Sequence, residues 1–171
     1  MTNLYLDFDG VILNTIEITY KQLEELKIDP KDYDAVTKFY ADLDWRTLIR
    51  KQATQINDAF NCIKKIIESN LFNVYILSHV NSLPEAEEKV KYIRKHLDKI
   101  TFIPVPRSIA KTTVVCATNH ILIDDYSNNL KIWEEHGGIG VKFSHEPKDS
   151  EFPIIDRLDM IIDLYKDGLL H

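Results

Sequence analysis

Short apolar runs separated by amphipathic stretches dominate the pattern of this chain. Runs at residues 3–7, 73–78 and 121–124 predict buried strands, and weaker runs at 139–143 and 100–103 predict two more. Between the runs, apolar residues recur with helical spacing, as in the series Ala86, Val90, Ile93 and Leu97. Because alternating strands and helices build crossover units, the pattern predicts an α/β fold in which helices flank a Rossmann-like parallel sheet.

The alternation is interrupted between the first two predicted strands. This stretch has helical patterns and no convincing strand. We therefore predict an α/β core formed by residues 1–15 and 69–171, and a small helical cap at residues 16–68 whose last helix returns to the sheet. A C-terminal helix is predicted after Pro153, with one face formed by Ile155, Leu158, Ile162 and Tyr165.

Composition is that of a globular protein with one compact domain. The chain has 171 residues, 44% hydrophobic and 28% charged, with a net charge of −6 spread along its length. This charge argues against a nucleic acid polymer as partner. Cys62 and Cys116 are far apart in sequence and are expected to be reduced thiols. The sequence shows no signal peptide and no apolar stretch of membrane-spanning length, so a cytoplasmic protein without a membrane partner is expected.

Two carboxylates follow the first predicted strand. In Asp7-Phe8-Asp9-Gly10, the aspartates are two residues apart at the carboxyl end of the strand, where open α/β sheets bind ligands. One carboxylate can attack a substrate while the other transfers protons. The alternative is an ordinary Asp-Gly turn.

Other polar residues occur near the ends of later predicted strands. Ser78 stands at the end of the second predicted strand. Lys111 precedes the strand predicted at residues 121–124, and Asp124 and Asp125 stand at the end of that strand. Taken singly, the serine and the aspartates could cap helices and the lysine could lie on the surface. Because the carboxyl ends of parallel strands share one edge of the sheet, their joint order predicts a single polar cleft.

These motifs resemble those of the haloacid-dehalogenase-like phosphohydrolases. The four family motifs correspond to residues 7–11, Ser78, Lys111 and residues 124–125, and the resemblance covers the whole chain. Residues 110–115, 121–126 and 133–141 are most similar to the 5′(3′)-deoxyribonucleotidases.

The resemblance implies a phosphomonoester hydrolase that forms an aspartyl-phosphate intermediate. Asp7 would be the nucleophile and Asp9 the general acid and base, with Ser78 and Lys111 binding the phosphate. The expected cofactor is Mg²⁺, bound by Asp7, by the backbone carbonyl of Asp9 and by Asp125. Asp124 would lie behind these ligands or bind the ion through water.

The same resemblance predicts a nucleoside monophosphate as substrate. Trp45 in the cap would stack on the base, or instead pack the cap against the core. His79 would touch the substrate or only begin a helix. Tyr126 stands where the deoxyribonucleotidases carry an arginine, which keeps a small sugar phosphate or a generic phosphomonoester as the alternative substrate. A phosphotransferase, or a catalytically silent module that binds phosphate, would also be consistent with these motifs.

Overall fold

A computed structural model describes residues 1–146 and 150–170 of the chain. Its sheet has six parallel strands in the order β3-β2-β1-β4-β5-β6. The strands are β1 Thr2–Leu6, β2 Phe72–Val80, β3 Thr101–Pro106, β4 Ile121–Asp124, β5 Ile139–Phe143 and β6 Ile154–Ile155. The predicted α/β fold with a parallel sheet is confirmed.

Helices cover the connections between these strands. They are α1 Thr15–Glu25, α2 Tyr33–Asp42, α3 Trp45–Thr47, α4 Ala59–Glu68, α5 Leu83–Arg94, α6 Lys111–Val114, α7 Ser127–Glu135 and α8 Met160–Lys166. A π-helical segment, Leu48–Gln52, directly continues α3. No helix in the described ranges is both long enough and apolar enough to cross a lipid bilayer.

The prediction for the C-terminal segment is partly wrong. Residues 154–155 pair with β5 as a short parallel strand, and helix α8 begins only at Met160. Ile155 therefore lies in the sheet rather than on a helix. The apolar residues around Ile155 form so short a run that their spacing fits a strand as well as a helix. The hydrogen bonds to the edge of β5 make this segment a strand.

Both faces of the sheet are buried, as expected for parallel strands. Leu4 and Leu6 point into one hydrophobic cluster, whereas Tyr5 between them points into a second cluster with Trp133 of α7. Helix α4 packs against β2, which confirms that the last helix of the insertion returns to the sheet.

The insertion shares the larger hydrophobic cluster with the sheet. Trp45, Leu48 and Ile49 are buried in the same cluster as Leu6 and Ile123. The middle of the insertion is thereby packed on the core.

Strand order creates a crevice between β1 and β4. From β1 the chain continues to β2 and β3 on one side of the sheet, and from β4 it continues to β5 and β6 on the other. The connections that leave the carboxyl ends of β1 and β4 therefore run to opposite sides of the sheet. Doubly wound sheets bind ligands in the crevice at such a point.

Candidate active site

The loop after β1 directs two aspartates into the crevice. Asp7 continues the hydrogen bonding between β1 and β4, because its N–H donates to the carbonyl of Ile123 at 2.9 Å. The chain then turns tightly: the N–H of Ile12 donates to the carbonyl of Phe8 at 2.9 Å, and Gly10 adopts a φ of +74° that favours glycine. This turn places Asp7 and Asp9 in the lining of one cleft.

Lys111 links the carboxyl end of β1 to that of β4. Its Nζ lies 2.9 Å from Asp7 Oδ1 and 2.6 Å from Asp124 Oδ2, and the side chain is buried. Burial acts to lower the pKa of Lys111, but the two carboxylates more than offset it, so its pKa is raised. The lysine is therefore a fixed positive charge beside Asp7.

The two adjacent aspartates after β4 have different surroundings. Asp124 is fully buried, and its oxygens accept hydrogen bonds from the Tyr126 N–H, the Asn129 side chain and Lys111. The Asp125 carboxylate has no hydrogen bond or ion pair to any residue in the described ranges. It lies against Gly10, where an added Cβ would be 2.3 Å from Asp125 Oδ2.

Two of these carboxyl groups have strongly raised pKa values. Burial raises the pKa of Asp125 to about 8, with further repulsion from Asp7 and Asp124. Burial also raises the pKa of Asp7 to about 7, although Lys111 opposes this effect. Burial accounts for the largest part of each rise, and repulsion between the clustered carboxylates adds to it.

A cation would relieve this repulsion, and the donor set suits one. Asp7, Asp124 and Asp125 each offer a carboxylate oxygen, and these atoms all lie within 4.8 Å of one another. Oxygen donors of this kind favour hard divalent cations such as Mg²⁺. The free Asp125 carboxylate and the space left by Gly10 fit a bound ion, so these residues could hold one.

Asp9 is held by donors from two helices and one strand. Thr15 of α1 donates to its Oδ1 at 2.7 Å. Lys89 of α5 donates to its Oδ2 at 2.5 Å, and Ser78 of β2 donates to the same oxygen at 3.3 Å. Ser78 is therefore brought to Asp9, at the end of β2, as its strand position predicts.

The open cleft beside the acidic cluster has a volume of about 420 Å³. Of the predicted substrate-binding residues, His79 and Tyr126 line it, and Tyr126 is largely exposed. The His79 ring donates from Nε2 to the carbonyl of Ile109 at 3.0 Å, and burial lowers its pKa. Tyr20 of α1 and Arg107 after β3 also line the cleft.

Trp45 lies elsewhere. Its side chain is 5% exposed, donates from Nε1 to the carbonyl of Tyr40 at 3.2 Å, and is absent from the described lining of the cleft. This placement favours packing of the cap over stacking on a substrate base.

Comparisons with known proteins support the fold. No protein-family model matches the chain, and no curated protein matches it. Among solved structures, a haloacid-dehalogenase-superfamily hydrolase of subfamily IA, variant 1, from Geobacter sulfurreducens has a TM-score of 0.63 at 11% identity, covering 96% of this chain and 99% of that chain. The chain has the haloacid-dehalogenase-like fold.

Two further structures with this fold cover nearly the whole chain. A haloacid-dehalogenase phosphatase from Thermococcus onnurineus has a TM-score of 0.60 at 13% identity, covering 98% of each chain. A hydrolase from Pseudomonas syringae has a TM-score of 0.60 at 12% identity, covering 97% of this chain and 99% of that chain. At such identities the likeness establishes the fold and not the substrate.

Within this haloacid-dehalogenase-like fold, the motif residues Asp7, Asp9, Ser78, Lys111 and Asp125 converge at one edge of the sheet. Sequence reasoning did not identify a contribution from α5 or from α1. Lys89 falls on the stripe of α5 that also carries Ala86 and Ile93, and Glu85 lies one turn before it. A lysine and a glutamate four residues apart on an apolar face could have indicated a buried ion pair.

Proposed function

We propose that this protein hydrolyses phosphomonoesters through an aspartyl-phosphate on Asp7. The observation that supports this most directly is the bridge formed by Lys111 between Asp7 and Asp124, beside the unpaired Asp125 carboxylate. That arrangement places a fixed ammonium group and a cation site beside a nucleophilic carboxylate that lines the cleft.

Asp7 and Asp9 would divide the chemistry between them. The Asp7 carboxylate attacks phosphorus, and Asp9 protonates the leaving ester oxygen. Asp9 then accepts a proton from the water that cleaves the aspartyl-phosphate. Ser78 hydrogen-bonds a phosphoryl oxygen, and Lys111 offsets the negative charge that Asp7 and the phosphoryl group bring together.

The proposed cofactor is Mg²⁺. Asp7, Asp125 and the backbone carbonyl of Asp9 would hold it, while Asp124 orients Lys111 and the loop after β4. When bound, the ion would neutralise charge so that an anionic ester can approach an anionic nucleophile.

For the substrate we propose a nucleoside monophosphate, with a deoxyribonucleotide as the specific candidate. The cleft volume of about 420 Å³ lies in the usual range for small-molecule sites. Tyr20 and Tyr126 are 59% and 61% exposed and both line the cleft, so they offer aromatic faces for a base. They replace Trp45 as the proposed stacking residues.

The deciding experiment is phosphate release from a panel of substrates, with Mg²⁺ and with EDTA. The panel contains deoxynucleoside and ribonucleoside monophosphates, sugar phosphates and phenyl phosphate. Metal-dependent release with preference for a deoxynucleotide supports the full proposal. Preference for sugar phosphates retains the mechanism and rejects the nucleotide, and phosphoryl transfer to an added alcohol identifies a transferase. Absence of release from every ester rejects the enzyme and favours a phosphate-binding module.

A further inference from the structure

Lys89 is a fully buried charged residue beside the cleft, and the reaction proposed above gives it no role. Its ammonium group lies 2.5 Å from Asp9 Oδ2 and 2.7 Å from Glu85 Oε1. It also donates to Ser78 Oγ at 3.2 Å and to the carbonyl of His79 at 3.1 Å. Lys89 thus joins α5 to the loop after β1 and to the end of β2.

Aromatic rings enclose the same ammonium group. Its Nζ is 5.2 Å from the centroid of the Phe8 ring and 5.5 Å from that of Trp45. Removing a lysine from water is costly unless the charge is paired and hydrogen-bonded. The charge is paired here by Asp9 and Glu85, and Glu85 is itself fixed by hydrogen bonds from the backbone and side chain of Asn81.

The contacts fix the orientation of Asp9. Its Oδ2 is held by Lys89 from one side, and its Oδ1 is held by Thr15 from α1. A carboxyl group with donors on both oxygens cannot rotate without losing one of them. Lys89 is absent from the described lining of the cleft, so it acts on the substrate site through the residues that it contacts, Asp9 and Ser78.

We infer that Lys89 is a positioning residue that holds the Asp9 carboxyl group in the orientation needed for proton transfer. This inference rests on the proposed function. As an Asp7 oxygen bonds to phosphorus and the ester P–O bond breaks, the leaving oxygen takes its proton from Asp9. In the second step, water gives a proton to Asp9 as it bonds to phosphorus, and the bond between phosphorus and Asp7 breaks. Lys89 neither gains nor loses a proton overall.

The test is the leaving-group dependence of Lys89→Met. A 4-nitrophenolate ion leaves without a proton, whereas an alkoxide needs one, so poor orientation of Asp9 penalises the alkyl ester more. We expect kcat/KM for an alkyl phosphate to fall about 100-fold and that for 4-nitrophenyl phosphate to fall less than about 10-fold. A purely structural defect would lower both by the same factor. Lys91→Met, at an exposed position of the same helix, should leave both values unchanged.

Two further variants separate positioning from the cost of a buried charge. Glu85→Gln keeps the contact between Lys89 and Asp9, so its alkyl-to-aryl ratio should match that of the wild type. Glu85→Gln/Lys89→Met removes both members of the buried pair and should regain stability without regaining the ratio. This double variant decides the question if Lys89→Met alone unfolds. A wild-type ratio in the folded double variant overturns the inference.

The proposed function is controlled separately. Release of phosphate by the wild type, and its loss in Asp7→Asn, establish the phosphatase before the ratio is interpreted. Equal losses for both esters in an otherwise active enzyme reject only the role of Lys89. An inactive wild type rejects the proposed function and this inference together.

Discussion

The carboxylate of Asp125 lies against the Cα of Gly10, in space that any other residue would fill. A Cβ at position 10 would be 2.3 Å from Asp125 Oδ2 and 2.8 Å from Asp125 Cγ. The loop after β1 and the loop after β4 can therefore approach closely only because position 10 has no side chain. This contact keeps Asp125 beside Asp7.

Gly10→Ala should displace Asp125 and weaken cation binding. Position 10 also has a φ of +74°, which costs a residue with a Cβ about 1 kcal/mol. Gly168→Ala is the matched control, because Gly168 has a φ of +66° with nothing within 4 Å of an added Cβ. Thermal unfolding should show the backbone cost in both variants and a further loss of stability in Gly10→Ala from the clash with Asp125. Only Gly10→Ala should raise the Mg²⁺ concentration that activity requires, and an equal requirement in the two would contradict the steric argument.

Asp7→Asn should abolish turnover while the protein remains folded. The amide has nearly the same shape but cannot form an acyl phosphate, so a loss of at least about 10⁴-fold is expected. Phosphate release measures the effect, and circular dichroism confirms the fold. Substantial remaining turnover would show that Asp7 is not the nucleophile.

Asp125→Ala should raise the Mg²⁺ requirement by more than about tenfold. Its carboxylate has no partner among the described residues, so its removal takes away a cation ligand without breaking an ion pair. Activity is measured as a function of Mg²⁺ concentration, with Asp34→Ala on exposed α2 as the control. An unchanged metal dependence would exclude Asp125 as a ligand.

The metal-free protein should lose stability as the pH rises. Asp7 and Asp125 have folded-state pKa values of about 7 and about 8, above the ordinary value of 3.8. The folded state therefore binds more protons than the unfolded chain between these values, and its stability falls with rising pH. In EDTA, the Tm should decline between about pH 5 and about pH 8.

Added Mg²⁺ should offset that decline. The ion binds the ionised carboxylates, so we expect it to raise the Tm by about 5 °C near pH 8 and by less than half as much near pH 5. Asp125→Ala should reduce both the decline in EDTA and the effect of Mg²⁺. A Tm that is independent of pH in EDTA would contradict the raised pKa values.

Trp45→Ala should change mainly the stability of the protein, whereas Tyr126→Ala should change mainly its substrate selectivity. Trp45 is buried in the main hydrophobic cluster, so its loss should cost about 3–5 kcal/mol and lower activity equally for all esters. Tyr126→Ala and Tyr20→Ala should leave stability nearly unchanged and reduce kcat/KM for nucleoside monophosphates more than for phenyl phosphate. Tyr33→Ala, 78% exposed on α2 and absent from the described cleft lining, is the control. An equal loss of kcat/KM for nucleoside monophosphates and for phenyl phosphate would show that the tyrosines do not bind the base.

The core of the fold was predictable because its strands leave a strong local signal. Buried parallel strands such as β1 and β4 read as continuous apolar runs, and their carboxyl ends share one edge. That rule alone brought Asp7 and Asp125 together in the prediction. The short strand Ile154–Ile155 has too few residues for such a signal, and only its pairing with β5 defines it.

Side-chain surroundings were less predictable. Trp45 and Tyr126 are both aromatic residues near charged neighbours in sequence, yet one is buried and the other is exposed. That difference depends on how the insertion packs on the sheet, which local pattern does not specify. Contacts between residues distant in sequence likewise decide the pairing of Lys89 with Asp9.

The central position of β1 has a consequence during synthesis. This strand leaves the ribosome before the rest of the sheet, but its neighbour β4 is made more than a hundred residues later. Until then, one edge of an apolar strand remains unpaired, and such edges favour aggregation. We therefore expect the nascent chain to be most prone to aggregation before residue 124 emerges, and Asp7 and Asp125 come together only when that interval ends.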